Sequence, residues 1–293
     1  MKKLPTQYPL FNQWLINVDY NDYWKFIMDG DDHSKGEDFY DKEEPGYKIA
    51  MLTALQEIFS MFLSSEDINL SSELLRQLHA NCIANVKSLV SNSNDFRNQT
   101  VAFGLDIARA PNCSHAGILE MMSKWRTVQF GEMMLLDEQN NTITSYQNAI
   151  SILESKKDIY CKIKPPESGR IEEGINHVFN MYRNEISTLA TQREKLLLIC
   201  ETIHQLEIMH PFIDGNTRTI SMMLLSLLLI QNNFYPIILD DPNVFVGHTA
   251  AELSEMVIEA LNKTKILYEL DDTLELDMEE LSASLGKSIL RPK

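Results

Sequence analysis

The chain has 293 residues, 44% of them hydrophobic, and its 42 acidic and 26 basic side chains give a formal net charge of −16. This length supports one sizeable hydrophobic core, whereas the acidic charge argues against binding to nucleic acid or to an anionic membrane surface. No apolar run reaches the roughly 18 residues that a membrane helix needs, so we expect no membrane span. The four cysteines form no CxxC pair or zinc-site spacing, which favours a reduced, intracellular protein.

Residues 1–46 are aromatic and acidic. Carboxylates crowd the stretch from Asp29 to Glu44, but they do not follow the spacing of an EF-hand calcium loop. We interpret this stretch as a solvated loop and treat residues 1–46 as an N-terminal extension of the core.

Helical periodicity dominates the rest of the chain. Apolar residues recur at steps of three and four, and Ser71 is a candidate N-cap. A short helix is also expected at 115–124. The other expected helices cover 49–62, a segment from about 71, 171–186, 191–209, 222–230 and 249–264.

A single β-hairpin is expected at 125–145, where β-forming residues flank the turn-rich Asp137–Asn141. The chain shows no internal repeat and no parallel βαβ alternation. We therefore predict a mainly α fold, a helical bundle with one small hairpin. Residues 47–268 would form the core and 269–293 an acidic C-terminal tail.

The segment 210–218 combines a helix end, a tight turn and a helix start. A long apolar helix ends where the segment begins, because Pro211 prevents its simple continuation. Gly215 permits a turn with positive φ, and Asp214 or Asn216 can cap the next helix. The segment therefore predicts a helix–loop–helix whose backbone N–H groups form an anion-binding pocket.

The side chains of this segment are those that phosphoryl or nucleotidyl transfer requires. His210 can accept a proton near neutral pH, and Asp214 offers the hard oxygen ligands that Mg²⁺ prefers. Arg218 lies in the first turn of the next helix, where a cation opposes the helix dipole, so a phosphate partner would explain it. The combination favours transfer from a nucleoside triphosphate over a purely structural corner. Outside the segment, His79 and His204 are expected to be structural.

The segment resembles the signature of the Fic family, H-P-F-x-[D/E]-G-N-G-R-x-x-R. Seven positions match: His210, Pro211, Phe212, Asp214, Gly215, Asn216 and Arg218. Weaker similarity extends from about Ile49 to Thr264. The resemblance implies a Fic-like helical core with a hairpin flap, and an enzyme that transfers AMP from ATP to a hydroxyl of a target protein.

The resemblance also assigns roles to the residues. His210 is expected to take the proton from a Ser, Thr or Tyr hydroxyl, whose oxygen attacks the α-phosphate, and Asp214 is expected to hold Mg²⁺. The ATP co-substrate is expected to be bound by Phe212, Gly215, Asn216, Thr217 and Arg218. The target protein is expected to pair with the hairpin around 125–145 by strand addition; a purely structural hairpin is the alternative.

Two positions depart from the signature. Thr217 replaces a glycine, which leaves the backbone N–H in place, and Ser221 replaces the second arginine. The missing arginine removes a charge-assisted phosphate contact worth roughly 1.5–3 kcal/mol. The donor is therefore open: the same fold could transfer UMP, phosphocholine or phosphate, or the chain could be a non-catalytic nucleotide-binding module.

Many Fic proteins carry an inhibitory helix with the motif [S/T]-x-x-x-E-[G/N], whose glutamate pairs with the second arginine. Near matches containing Glu57 and Glu172 lack the residue that should follow the glutamate. We therefore expect no glutamate-based self-inhibition.

The setting of the protein is also left open by the sequence. We expect a cytoplasmic enzyme, with export into a host cell as the alternative, because the acidic tail resembles C-terminal translocation signals of bacterial effectors.

Overall fold

The computed structural model describes residues 7–64, 68–87, 94–105, 112–124, 132–155, 157–165 and 170–270. Within these ranges the chain is mainly helical with one small antiparallel sheet, which confirms the predicted fold class. The α-helices are α1 (Pro9–Asn17), α2 (Phe39–Glu43), α3 (Tyr47–Leu63), α4 (Ser72–Ile83), α5 (His115–Lys124), α6 (Tyr146–Glu154), α7 (Ile171–Ile186), α8 (Gln192–Met209), α9 (Leu225–Gln231) and α10 (Ala250–Tyr268). No helix in the described part of the chain is long and apolar enough to cross a membrane.

The helix starts follow from side-chain caps. Ser71 accepts a hydrogen bond from Leu74 N, as predicted. Thr191 and Thr249 each form a capping box with the glutamate three residues later, at the starts of α8 and α10. A cap satisfies orphan N–H groups of the first turn, so these residues fix where the two longest helices begin.

The sheet contains three strands, β1 (Val101–Leu105), β2 (Met133–Leu136) and β3 (Ile159–Ile163), in the order β1–β3–β2. The tight turn predicted after β2 is present, since Asp137 N donates to Asn141 O at 3.0 Å. However, β2 pairs along its length with β3, and the returning chain joins β2 through a Leu136–Thr142 bridge and a hydrogen bond from Ile143 N to Leu135 O at 2.8 Å. The predicted hairpin is thus one edge of a larger sheet, and its first residues, 125–131, lie outside the described part.

The N-terminal residues pack into the same core as the helices. Trp14 is fully buried and its ring lies edge-on to Phe59 of α3, with centroids 5.0 Å apart. The acidic stretch is not the loop expected from its composition, since it forms a 3₁₀-helix at Gly30–Lys35 and then α2, but some of its carboxylates, Asp31, Glu37 and Asp38 among them, are exposed. Tyr47 explains part of this order, because its hydroxyl donates to Ile27 O at 2.6 Å and ties α3 to the preceding chain.

Candidate functional site

The helix α8 ends at Met209, directly before the segment that carries the predicted chemistry. His210 is the C-cap and adopts left-handed backbone angles, φ 47° and ψ 63°. Its backbone N–H still bonds to the carbonyls of Leu206 and Glu207, both at 3.1 Å. Pro211 then prevents continuation of the helix. This left-handed turn places His210 at the mouth of the loop.

Asn216 closes the loop on itself. Its Oδ1 accepts a hydrogen bond from Phe212 N and its Nδ2 donates to Phe212 O, both at 2.9 Å. The side chain is buried, with 3% of its surface exposed. The amide that the sequence assigned to co-substrate binding is therefore engaged in holding the loop's shape.

A buried ring stack supports the loop from below. The imidazole of His79, on α4, lies parallel to the ring of Phe212 with centroids 3.7 Å apart. Its Nε2 lies 3.0 Å from the carbonyl oxygen of Asp214, a geometry in which an Nε2–H donates to that oxygen. Burial lowers the pKa of His79, so the ring is neutral at neutral pH. His79 is structural, as expected, but its structural role is to fix the loop.

Gly215 is required by both conformation and space. Its φ is +73°, and a Cβ at this position would lie 3.0 Å from Ile83 Cγ2 and 3.3 Å from His79 Nε2. The left-handed conformation disfavours side chains, and the α4 residues leave little room to relax.

We expect Gly215→Ala to lower the free energy of unfolding by about 1–3 kcal/mol, through backbone strain and close contact. Chemical denaturation would measure this. Gly104→Ala is the matched control, because Gly104 lies in β1 and its added Cβ would meet nothing closer than 4.0 Å. Equal stability of the two variants would contradict the prediction.

The helix after the loop begins as a π-helix, Arg218–Leu224, and continues as α9. Thr219 Oγ1 donates to Gly215 O at 2.8 Å and so fastens the wide turn to the loop. Ser221, the residue in place of the second signature arginine, is fully buried and donates to Glu207 Oε1 at 2.5 Å. Burial raises the pKa of Glu207 to about 7. The sequence predicted only an α-helix from 222; local π-helical turns often occur at functional sites.

Arg218 has an anionic partner within the chain. Its Nη2 lies 2.6 Å from Glu44 Oε2, and its guanidinium lies over the ring of Tyr47, 5.0 Å from the centroid. The Nη1 atom is buried and has no hydrogen-bond partner among the described residues. Glu44 thus supplies the negative charge that a cation at a helix start requires.

The glutamates of the two near matches to an inhibitory motif do not pair with Arg218. Glu172 accepts hydrogen bonds from Ser72 and Arg76, and Glu57 lies exposed on α3. The absence of glutamate-based self-inhibition stays a prediction, and Glu44 is the glutamate that would have to be tested for it.

His210 lies in an environment that keeps its imidazole neutral. Burial and, second to it, the positive charge of Arg97 lower its pKa to about 4, against the opposite effects of the Glu207 backbone carbonyl and of Asp214. The ring of Phe103, on β1, packs against it with centroids 5.2 Å apart. Nδ1 is buried without a partner among the described residues, so Nε2 is the nitrogen placed to accept a proton.

Six of the seven predicted site residues line one cavity of about 240 Å³, together with Ile213 and Asn243. The exception is Phe212, which is fully buried beneath the loop. The chain also forms a second cavity of about 200 Å³, which shares Thr217, Arg218 and Asn243 with the first. Carboxylates and two tyrosines line it: Asp29, Glu43, Glu44, Tyr40 and Tyr47.

The donor set near the loop fits the predicted magnesium ion in one way. Asp214 Oδ1 accepts a hydrogen bond from Gly215 N at 2.7 Å, and no group of three or more metal-ligating side chains occurs among the described residues. Mg²⁺ is often held by one or two carboxylates together with substrate phosphates and waters. Asp214 can therefore be the protein's ligand only in the presence of a phosphate-bearing co-substrate.

Sequence reasoning missed the supporting residues. Arg97, Glu44, Tyr47 and Phe103 come from distant parts of the chain and carry no motif of their own. Only the unexplained charge of Arg218 pointed to a partner, and that signal named an anion without locating it.

Comparison with known proteins agrees with this geometry. The sequence model of the Fic/DOC family matches residues 69–229, more than half of the chain. In an alignment of 269 positions the chain is 29% identical to the phosphocholine transferase AnkX of Legionella pneumophila subsp. pneumophila; the alignment covers 82% of this chain and 28% of AnkX. The loop of His210 and its helical frame are thus those of a known family, and the chain belongs to the Fic/DOC family.

Proposed function

We propose that this protein transfers phosphocholine from a choline nucleotide to a hydroxyl of a target protein. The observation that carries the proposal is the acidic, aromatic cavity beside Arg218. Support also comes from the similarity to AnkX, a phosphocholine transferase.

The charge of the second cavity favours a cationic group. Its lining includes three carboxylates, Asp29, Glu43 and Glu44, against the single guanidinium of Arg218. Burial raises the pKa of Asp29 to about 6, so this group is still mostly ionised at neutral pH. The terminal phosphates of a nucleoside triphosphate would be repelled there, whereas a quaternary ammonium gains both charge and ring contacts.

The tyrosines complete this environment. Tyr40 and Tyr47 lie edge-to-face with ring centroids 5.0 Å apart, and both line the cavity. Aromatic faces beside carboxylates are the usual protein environment for trimethylammonium groups. Because the cavity adjoins the loop cavity through Thr217 and Arg218, a cation bound there would lie near the reacting phosphorus.

The residues of the loop can perform the transfer. Neutral His210 removes the proton of the target hydroxyl, and the oxygen forms a new bond to the phosphorus that carries choline. The bond from this phosphorus to the bridging oxygen breaks, and nucleoside monophosphate leaves with its electron pair. Arg218 stabilises the charge that develops on the diphosphate. A magnesium ion on Asp214 would supply further charge neutralisation.

AMP transfer from ATP, the activity that the family resemblance implies, is the second candidate. It is favoured by the presence of His210, Asp214 and Arg218 around one cavity. β1 contacts His210 through Phe103, whereas docking of a target at 125–145 stays a prediction. Export as an effector likewise stays a prediction, which deletion of residues 269–293 would test.

A donor comparison distinguishes the two candidates. Purified protein with Mg²⁺ would be given CDP-choline labelled in choline or ATP labelled at the α-phosphate, alone and with a cell lysate. We expect protein-bound label from the choline nucleotide, dependent on His210. Label from ATP but not from CDP-choline would replace the proposal by AMP transfer. No label from either donor would contradict both candidates.

The second cavity can be tested as the choline site by neutralising one of its carboxylates. We expect Glu43→Gln to raise the KM for the choline donor about five- to tenfold, the size of a partly exposed cation contact, with little change in kcat. Glu37→Gln is the control, because Glu37 lies outside the cavity and pairs with Lys48. An unchanged KM in Glu43→Gln would count against the cavity as the choline site.

A further inference from the structure

Arg97 is a buried cation that contacts the end of α8. It is 3% exposed. Its Nε donates to His210 O at 2.6 Å, its Nη2 to Met209 O at 3.0 Å and its Nη1 to Gln99 O at 3.0 Å. Its backbone N–H donates to Pro211 O at 2.8 Å. All of its partners in the described chain are carbonyl oxygens, and none is a carboxylate.

A buried guanidinium without a carboxylate partner is costly, and burial lowers the pKa of Arg97 to about 10. Part of this cost is offset by the position, because the last carbonyls of a helix are unsatisfied and carry the negative end of the helix dipole. The guanidinium of Arg97 donates to the carbonyls of two consecutive residues, Met209 and His210. A single hydrogen bond would not fix both peptide planes.

The backbone at His210 needs such a restraint. Its left-handed conformation is disfavoured for a residue with a side chain, and it is this conformation that turns the chain from α8 into the loop. Relaxation toward a right-handed or extended conformation would rotate the imidazole away from the cavity that it shares with Asp214.

We propose that Arg97 is a positioning residue: by holding the carbonyls of Met209 and His210, it fixes the imidazole of His210 over the loop cavity. The inference deepens the proposed function, since it concerns the base of that reaction, but it does not depend on which phosphate-linked group is transferred.

The charge of Arg97 also acts on His210. Several groups face this imidazole: Arg97 and Phe103 from the 94–105 segment, Asp214 from the loop, and Glu207 on α8, whose backbone carbonyl bonds to His210 N. Arg97 is the one that adds positive charge beside a ring already destabilised as a cation by burial. It therefore favours the neutral imidazole that a general base requires.

Two variants separate the hydrogen-bonding geometry of Arg97 from its charge. Arg97→Lys keeps the charge but loses the fork, and Arg97→Gln keeps a donor but loses the charge. The first measurement is an NMR titration of the His210 ring, assigned by the signal missing in His210→Ala. We expect the pKa of His210 to rise by about one unit in Arg97→Gln, because a neighbouring cation has been removed, and to stay close to the wild-type value in Arg97→Lys.

The second measurement is kinetic, with the donor that the wild-type protein uses. We expect Arg97→Lys to lower kcat about tenfold with little change in the donor KM. Circular dichroism and thermal melts would verify that each variant folds. An unshifted His210 titration in Arg97→Gln, or wild-type kcat in Arg97→Lys, would overturn the inference. A shifted titration in a protein that uses no donor would instead count against the proposed function.

Discussion

Replacing His210 with alanine should lower the rate of group transfer by a factor of roughly 10²–10⁴, the usual contribution of a positioned general base. Among the described residues, His210 is the one histidine that lines the loop cavity. Donor binding should persist, because Asp214 and Arg218 are unchanged. The measurement is kcat and KM with the active donor. His177→Ala is the control: His177 is exposed on α7 and should leave both values unchanged.

The pH dependence follows from the same residue. Because the pKa of His210 is lowered to about 4, its base form predominates from pH 5 upward. As pH falls through about 4, the imidazole gains a proton and this contribution to the rate is lost. A rate that instead fell between pH 7 and 6 with the profile of an ordinary histidine would contradict the buried environment. A rate that survived in His210→Ala would remove the base from the mechanism.

The helices could be predicted because their signals are local. The cap at Ser71 and the capping boxes at Thr191 and Thr249 each lie within four residues of the helix starts they determine. The alternating burial of β3 is also local, yet a five-residue strand offers few periods and was not predicted. The π-helical turn at Arg218 could not be predicted, since its apolar pattern is compatible with an ordinary α-helix.

The N-terminal segment shows the limit of composition. Its many carboxylates predicted a solvated loop, but aromatic residues of the segment pack on α3: Trp14 packs on Phe59, and the ring of Tyr40 packs on that of Tyr47. The second contact joins α2 to α3, and Glu44 at the end of α2 pairs with Arg218. The composition of a segment cannot predict a contact such as that of Glu44 with Arg218, which lie 174 positions apart.

The loop could be predicted from the sequence because its chemically important residues lie in one contiguous segment. Positions 210–218 contain the predicted base, the predicted metal-ligating carboxylate and the cation in one segment, and the structure places them around one cavity. Asn216 lines this cavity, but its side-chain amide is engaged by the backbone of Phe212. Side-chain identity predicted which residues gather at the site, whereas the partner of each polar group required the structure.

Arg218 is the residue whose loss should most weaken donor binding. In the structure Arg218 already forms an ion pair with Glu44. A phosphate that binds Arg218 must therefore share the guanidinium with that carboxylate or displace it. Arg218→Ala would remove the guanidinium from both Glu44 and the donor diphosphate. A charge-assisted hydrogen bond of about 1.5–3 kcal/mol corresponds to a fall in kcat/KM of roughly 10–150-fold, and most of it should appear in the donor KM.

The partner variant decides how the pair works. Glu44→Gln should lower the donor KM if the carboxylate competes with phosphate for Arg218, and should raise it if Glu44 instead attracts the cationic end of the donor. Because we propose a choline donor bound beside Tyr47, we expect the KM to rise. In the Arg218→Ala background the carboxylate has no cation to compete for, so the effect of Glu44→Gln on the choline donor should persist there. A donor KM that instead fell in Glu44→Gln, and did not fall in the Arg218→Ala background, would show that Glu44 acts through Arg218 alone, as an internal competitor of the phosphate.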